Sequence, residues 1–496
     1  MSSLRQKTVS GVLWSGFAKL AMQLVLLVVT SILAHLLSKE DFGIVGMAAI
    51  ITVAVNMVND KGLGMSLVQN KQVDRLQLST IFWGSLFFGL LLYLISTVAA
   101  FPLAYFFRNP LVRPVVWALG LGFVVGSFGI VQKAILTRDM DFRKLALLEI
   151  VAVLISGAAA IVLALLGFGV WSLVVNSLLR DLLNTVGLWL FCKWRPHLYF
   201  SWKDFRSQLG FSSNVLANDG AIYMITNVDV TIIGRVLGSA ALGVYNLSLY
   251  LVKLPVTRIS GIVAKVVFPA FSAVQDEPLK FKKAYLRSMT FISIFTFPVL
   301  VGLAVFSHEF IMVFLGEKWI EMATPLILLT PMAMLKSVGT IRGSVLMAVG
   351  RPEIELRWNL VYLLPLIAAV YGGTYYGING VAFAFSALYL LTFPIIQYLT
   401  NRQINVNMLE FFGSLSKTFI AVLFMGGVGM AVRFLSQQVL HLPSMILLFS
   451  GVIISILGYI FALQMLDKKL LTELGQILSS GKKKEAEFVF VEDVNV

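Results

Sequence analysis

Long apolar runs, broken by short polar segments, fill almost the whole chain. Fourteen of them approach the roughly 20 residues that a membrane-crossing helix needs. They are 11–33, 42–64, 79–101, 114–131, 147–166, 170–191, 212–234, 240–268, 288–306, 322–346, 358–375, 380–399, 416–438 and 443–464. None alternates with the two-residue period of a strand, which argues against a transmembrane barrel. The first run is too long for a secretory signal and carries no convincing small-residue cleavage site, so it is expected to persist as a helix. The pattern predicts an all-α integral membrane protein with about 14 transmembrane helices.

Composition agrees with the pattern. Of 496 residues, 58% are hydrophobic and 13% charged, and the mean hydropathy is +0.88. Soluble proteins average about 45–50% apolar and about 25% charged residues. Too little polar surface remains to coat a water-soluble globule, which excludes an ordinary cytosolic enzyme, a disordered tail protein and a secreted disulfide scaffold. Cys192 is the single cysteine, and His35, His197, His308 and His441 show no metal-ligand spacing. With no phosphate-binding loop and no nucleophile–base arrangement, neither a cofactor nor catalysis is expected.

The net charge of +14, from 39 Lys and Arg against 25 Asp and Glu, changes the picture only once it is placed. If the N-terminus lies inside, 25 of the 39 basic residues fall on the cytoplasmic side and five (Lys39, Arg108, Arg113, Arg235 and Lys318) on the other. That asymmetry is the positive-inside rule. It places both termini in the cytoplasm, favours an even number of spans and removes nucleic acid as the reason for the charge.

Two short segments recur in the same order. Leu37 to Ile44 (LSKEDFGI) returns as Leu237 to Val244 (LGSAALGV), and Gly167-Phe168-Gly169-Val170 returns as Gly377-Ile378-Asn379-Gly380-Val381. The offset is an even number of spans, so the repeats are parallel, with an axis along the membrane normal and a cavity between them. The expected organisation is a first six-helix lobe over 1–206 and a second over 207–412. A terminal helix pair over 413–464 and a cytoplasmic tail over 465–496 complete it.

Nine basic residues remain inside the spans, where a charge costs at least ~2.5–3.5 kcal/mol. Lys61, Lys265, Arg342 and Arg433 lie close enough to span ends to snorkel. Lys19, Arg180, Lys253, Arg258 and Lys336 either line a cationic cavity or form structural ion pairs. Pro255, between Lys253 and Arg258, either brings the two cations together through a kink or serves packing alone. A net-positive cavity suits an anionic ligand, because guanidinium and ammonium groups match phosphate oxygens. Intramembrane acids are fewer: Asp60, Asp181, Asp219 and Asp229, with Glu149 near a boundary. Asp219, Ile222, Thr226 and Asp229 follow one helical stripe. Asp60, Asp219 and Asp229 are therefore candidates for ion coupling or for neutralising cavity cations. Gly120, Gly122, Gly126 and Gly129, like Gly426, Gly427 and Gly429, are expected to permit close helix packing.

Several ordered segments point further: Asp41-Phe42-Gly43, Asn59-Asp60-Lys61-Gly62-Leu63-Gly64, Ser66-Leu67-Val68-Gln69 and Asp229 to Gly238 (DVTIIGRVLG). Leu242 to Asn246 (LGVYN), Val267-Phe268-Pro269-Ala270-Phe271, Gly316-Glu317-Lys318-Trp319 and Leu346 to Arg351 (LMAVGR) follow. Together they resemble the polysaccharide-exporter family of bacterial flippases, and most closely its colanic-acid exporter branch. The resemblance implies the fold of the multidrug/oligosaccharidyl-lipid/polysaccharide superfamily. It implies alternating-access export of undecaprenyl-diphosphate-linked oligosaccharide across the bacterial inner membrane, with a polymerase and glycosyltransferases as partners. It also implies that cavity cations at Lys19, Arg180, Arg258, Lys265 and Lys336 hold the lipid-linked diphosphate. The full set of candidate substrate-binding residues is Lys19, Arg180, Lys253, Arg258, Lys265, Lys336 and Arg342. Competing readings are a multidrug extruder, a lipid II flippase and, more remotely, a membrane-embedded polymerase or glycosyltransferase.

Overall fold

The computed structural model describes residues 22–62, 74–139, 141–202, 226–261, 277–440 and 442–468, with single positions at 205, 223, 263, 271 and 274; for 54–62, 75 and 439–440 it describes the backbone alone. Every regular element among the described residues is helical. That is the outcome expected in hydrocarbon, where each backbone N–H and C=O must find its partner within the spanning segment. Eight stretches are long and apolar enough to cross a membrane, or nine with one bent pair. The shortfall from 14 has local causes. The runs 11–33, 42–64 and 212–234 lie partly or largely outside the residues described with side chains. The 51-residue stretch Glu353–Gln403 counts once but is a hairpin of two helices. The run at 170–191 is diluted by Asn176, Arg180, Asp181 and Asn184.

The chain divides into two compact units, Met1–Gly243 and Val244–Val496. The first contains α1 (Met22–Leu36), α2 (Lys39–Gly62), α3 (Arg75–Phe107), α4 (Val112–Ser127), α5 (Ile130–Arg138), α6 (Phe142–Leu165), α7 (Val170–Phe191) and α8 (Val228–Val236). α4 and α5 form the bent pair, turning by 48° at Phe128 and Gly129. A bend frees backbone carbonyls, and α7 takes them up. Thr185 Oγ1 donates to the Val125 carbonyl at 3.1 Å and Trp189 Nε1 to the Phe128 carbonyl at 2.8 Å. Neighbouring helices re-satisfying a broken one is what makes such a break tolerable in lipid.

The first repeat meets its own copy within this unit. A Cβ on Gly43 would overlap the carbonyl of Ser239, and one on Gly243 would overlap the carbonyl of Lys39. The contact is reciprocal, backbone against backbone, and only glycine permits it. Gly238, at φ 85°, supplies the left-handed turn that starts the second copy.

The second unit contains most of α9 (Gly238–Pro255), then α10 (Pro278–Val305), α11 (Ser307–Phe314), α12 (Ala323–Gly339), α13 (Arg342–Ala348), α14 (Glu353–Gly373), α15 (Gly377–Gln403), α16 (Met408–Leu435) and α17 (Ser444–Leu466). α10 is its hub. Thr296 shares a 2.9 Å hydroxyl pair with Ser337 of α12, and Tyr285 joins Gln397 and Asn401 of α15 in a buried polar cluster at 2.6–3.1 Å. Thr290 donates to the Ser414 carbonyl of α16, and Tyr459 of α17 donates to the Ile294 carbonyl. Interhelical hydrogen bonds in membranes average about 0.6 kcal/mol each, so this set orients helices more than it stabilises them. α14 and α15 turn back on each other at Gly377, φ 68°, where Gly373 and Gly380 approach backbone to backbone. α16 starts before its apolar run does, because Asn407 and Glu410 form a capping box and Lys282 pairs with Glu410 at 2.7 Å.

Arg433, expected to snorkel, is committed to an ion pair instead. Its Nε donates to Oε1 of Glu309 at 2.8 Å, Nη1 donates to the Val305 carbonyl and Gln437 donates to the same carboxylate oxygen at 3.1 Å. Glu309 is buried, and its partners come from α16 and the π turn Ser436–Leu440 that follows it.

Two sets of substitutions check this packing. Gly43→Ala and Gly243→Ala should each lower the melting temperature in detergent, whereas Gly413→Ala, which meets nothing within 4 Å, should not. Arg433→Ala strands a buried carboxylate and should destabilise by about 3–5 kcal/mol. The double variant Arg433→Ala/Glu309→Gln should recover part of that loss.

Candidate functional site

The first unit holds a polar cavity of ≈260 Å³ where α4, α5, α6 and α7 meet. Its wall is unusual for a membrane interior: Lys133, Glu149, Asp181, Asn184 and Thr185 stand among Gly122, Gly126 and Gly129. Glycine spacing of four and three residues places these gaps on one side of the α4–α5 pair. The space they leave is used, since a Cβ on Gly122 would lie 3.0 Å from Asp181 Oδ2. The expectation that these glycines serve close packing is thus half the story, because they also make room for a carboxylate. A void lined by so many polar groups fits water, which requires two to four polar partners.

Arg180 lies on α7 beside Asp181 and is half-buried. Lys253, Arg258 and Lys336 are half-buried as well, Lys253 in the last turn of α9 and Lys336 in the last turn of α12. Pro255 does not stop its helix. A π turn, Val256–Ser260, follows directly and carries Arg258. Residues five apart lie about 140° apart around an α-helix; the extra residue of a π turn narrows that angle. Lys253 and Arg258 therefore sit closer to one face than an unbroken helix would place them.

Arg342, at the start of α13, is paired. Its Nη2 lies 3.5 Å from Glu355 Oε1 and its side chain is 12% exposed. Asp229 is buried in the first turn of α8, where a negative charge is favoured by the helix dipole, and its Oδ1 accepts from the Val230 amide at 2.9 Å. Lys19, Asp219 and Lys265 lie outside the described residues, and Asp60 is described only as a backbone position on α2. Of the Asp219 stripe, Thr226 and Asp229 are described; Thr226 donates to the Tyr223 carbonyl.

The sequence pattern passed over Lys133, Glu149 and Asn184 as site residues. They sit on three different helices, and the glycine spacing opposite them was the available signal.

A bundle of long apolar helices with charged groups within them defines an all-helical, multi-span membrane protein. The same fold occurs in the lipid II flippase MurJ, inward closed conformation, with a TM-score of 0.73 at 16% identity, covering 93% of this chain and 100% of that one. The chain belongs to the polysaccharide biosynthesis protein family, whose pattern it matches over residues 32–324. Among its relatives is the lipopolysaccharide biosynthesis protein WzxC of Escherichia coli, 29% identical over 403 residues, 80% of this chain and 81% of that protein. Another is the teichuronic acid biosynthesis protein TuaB of Bacillus subtilis, 27% identical over 448 residues, 88% of this chain and 92% of that protein.

Wetness of the cavity is directly measurable. In a Cys192→Ser background, a cysteine placed at Asn184 should react with a membrane-impermeant thiol reagent in open membranes. A cysteine at Val186, which faces outward on the same helix, should stay unlabelled.

Proposed function

We propose that this protein flips undecaprenyl-diphosphate-linked oligosaccharide units across the bacterial inner membrane by alternating access, supplying surface polysaccharide synthesis. It acts as a transporter, with no covalent step of its own. The observation that carries this reading is the set of half-buried cations Arg180, Lys253, Arg258 and Lys336 in otherwise largely apolar spans. Each such group costs at least ~2.5–3.5 kcal/mol to insert, an expense that a charged cargo offsets when it binds. A diphosphate is the fitting partner because guanidinium forks and ammonium groups bind its oxygens directly. The names of WzxC and TuaB, which place them in the synthesis of lipopolysaccharide and teichuronic acid, support a glycan cargo.

In this reading Lys19 and Lys265 join the described cations, and Arg342 contributes through its remaining N–H groups. Asp60, Asp219 and Asp229 balance charge or couple an ion. The working organisation is two lobes, 1–206 and 207–412, followed by the helix pair 413–464 and the tail 465–496. Both termini lie in the cytoplasm, as the 25-to-5 division of basic residues favours. Glycosyltransferases supply the cargo on the cytoplasmic side, and a polymerase consumes it outside. A multidrug extruder for organic cations would want acids where this chain carries bases.

The fold shared with MurJ keeps a lipid II flippase as the second reading. Loss of a lipid II flippase stops growth, whereas loss of an exporter strips surface glycan from living cells. Arg258→Glu and Lys336→Glu should each reduce surface polysaccharide at least tenfold while the protein inserts at normal levels. Lipid-linked oligosaccharide should accumulate on the inner leaflet. Normal glycan in both variants overturns the assignment of these cations to cargo.

A further inference from the structure

Arg108, Arg113 and Arg235 are among the few basic residues expected on the outer side, and all three belong to the first unit. α3 has 33 residues, about 50 Å of helix at 1.5 Å per residue, against a hydrocarbon core of about 30 Å. Its last turns therefore emerge at headgroup level, and they carry Phe101, Tyr105 and Phe106, all exposed, with Tyr105 at 86%. Aromatic side chains of this kind mark the membrane interface.

Rings hold two of the arginines in place. The Arg113 guanidinium lies 5.4 Å from the centre of Phe101 and 5.3 Å from that of Trp117. Arg235, on α8, lies 5.5 Å from the centre of Phe106 and donates from Nη1 to the Phe106 carbonyl at 2.7 Å. Arg108, between them in sequence, takes a left-handed backbone at φ 54°. Among the described residues no carboxylate pairs with any of the three. α4 begins here without a side-chain cap, adding its positive end to the same place.

Cation–π attraction to Phe101 and Trp117 holds the Arg113 guanidinium in place while its planar fork of N–H groups matches the oxygens of a phosphate. We propose that the end of α3 and the start of α4 bind the headgroup of an anionic phospholipid, with the phosphodiester held by Arg113 and the exposed Phe101 and Tyr105, one turn apart on α3, against the glycerol and upper acyl chain. The aromatic rim selects a lipid over a free anion, because Phe101 and Tyr105 offer apolar surface where acyl chains begin. On the proposed orientation this is the outer leaflet.

The test uses the full-length protein in detergent, with native mass spectrometry reading bound lipid after addition of phosphatidylglycerol or phosphatidylcholine. The wild type should retain phosphatidylglycerol at least fivefold over phosphatidylcholine, and Arg113→Gln should lose that preference. If that variant fails to fold, Arg113→Lys, which keeps the charge but loses the planar fork, should retain at least threefold less phosphatidylglycerol than the wild type. Equal retention of the two lipids by the wild type, or undiminished phosphatidylglycerol in the variant examined, overturns the proposal. Displacement of the lipid by a soluble uronic-acid oligosaccharide overturns it in favour of a glycan. The readout involves no transport, so this proposal and the flippase reading fall separately.

Discussion

Hydrocarbon tolerates no unpaired backbone group, and the described structure follows from that single constraint. It confines the chain to helices and obliges every departure from a straight helix to be compensated nearby. The 48° turn between α4 and α5 is matched by Thr185 and Trp189 on α7, which donate to the carbonyls of Val125 and Phe128 at the bend. The turn after α14 depends on Gly377, and the proline of α9 is absorbed by a π turn instead of a break. α10 shows the same economy with side chains: hydroxyl, phenol and amide groups that would be stranded in lipid find each other across four helices.

Charged and polar groups are concentrated at a few places in the helices of each unit. Around the cavity of the first unit, glycine removes bulk on one side while Glu149, Asp181 and Asn184 supply polarity on the other. In the second unit, Lys253, Arg258 and Lys336 keep charge inside otherwise apolar helices. A protein that only needed to be stable in a membrane would replace such groups with leucine. On the proposed function, these groups meet a cargo that is itself polar and crosses without touching lipid.

Much of this was legible in the sequence, and the exceptions follow one rule. Apolar runs located the helices, because burial in lipid and helical hydrogen bonding select the same residues. They misjudged the ends: α3 runs past its apolar segment at both sides, and α16 begins at its capping box, since helix length and apolar length are set by different forces. The repeated LSKEDFGI and LGSAALGV segments could be seen as copies; that Gly43 and Gly243 face each other's backbone could not. Arg433 read as a residue free to snorkel because its partner Glu309 is 124 positions away. For the repeat contact and the Arg433 pair the missing information was long-range pairing, and the cavity among four helices was missed for the same reason.

The buried Glu309 pair bears on how the protein is made. Membrane helices enter the bilayer in the order of synthesis, so Glu309 is inserted well before Arg433 and Gln437 emerge. Until the penultimate helix arrives, the nascent protein carries an uncompensated carboxylate beside its half-built second unit. The pairing thus ties the second unit to the late arrival of α16. A product truncated before residue 433 leaves the Glu309 carboxylate without Arg433 and Gln437, and a longer one supplies both.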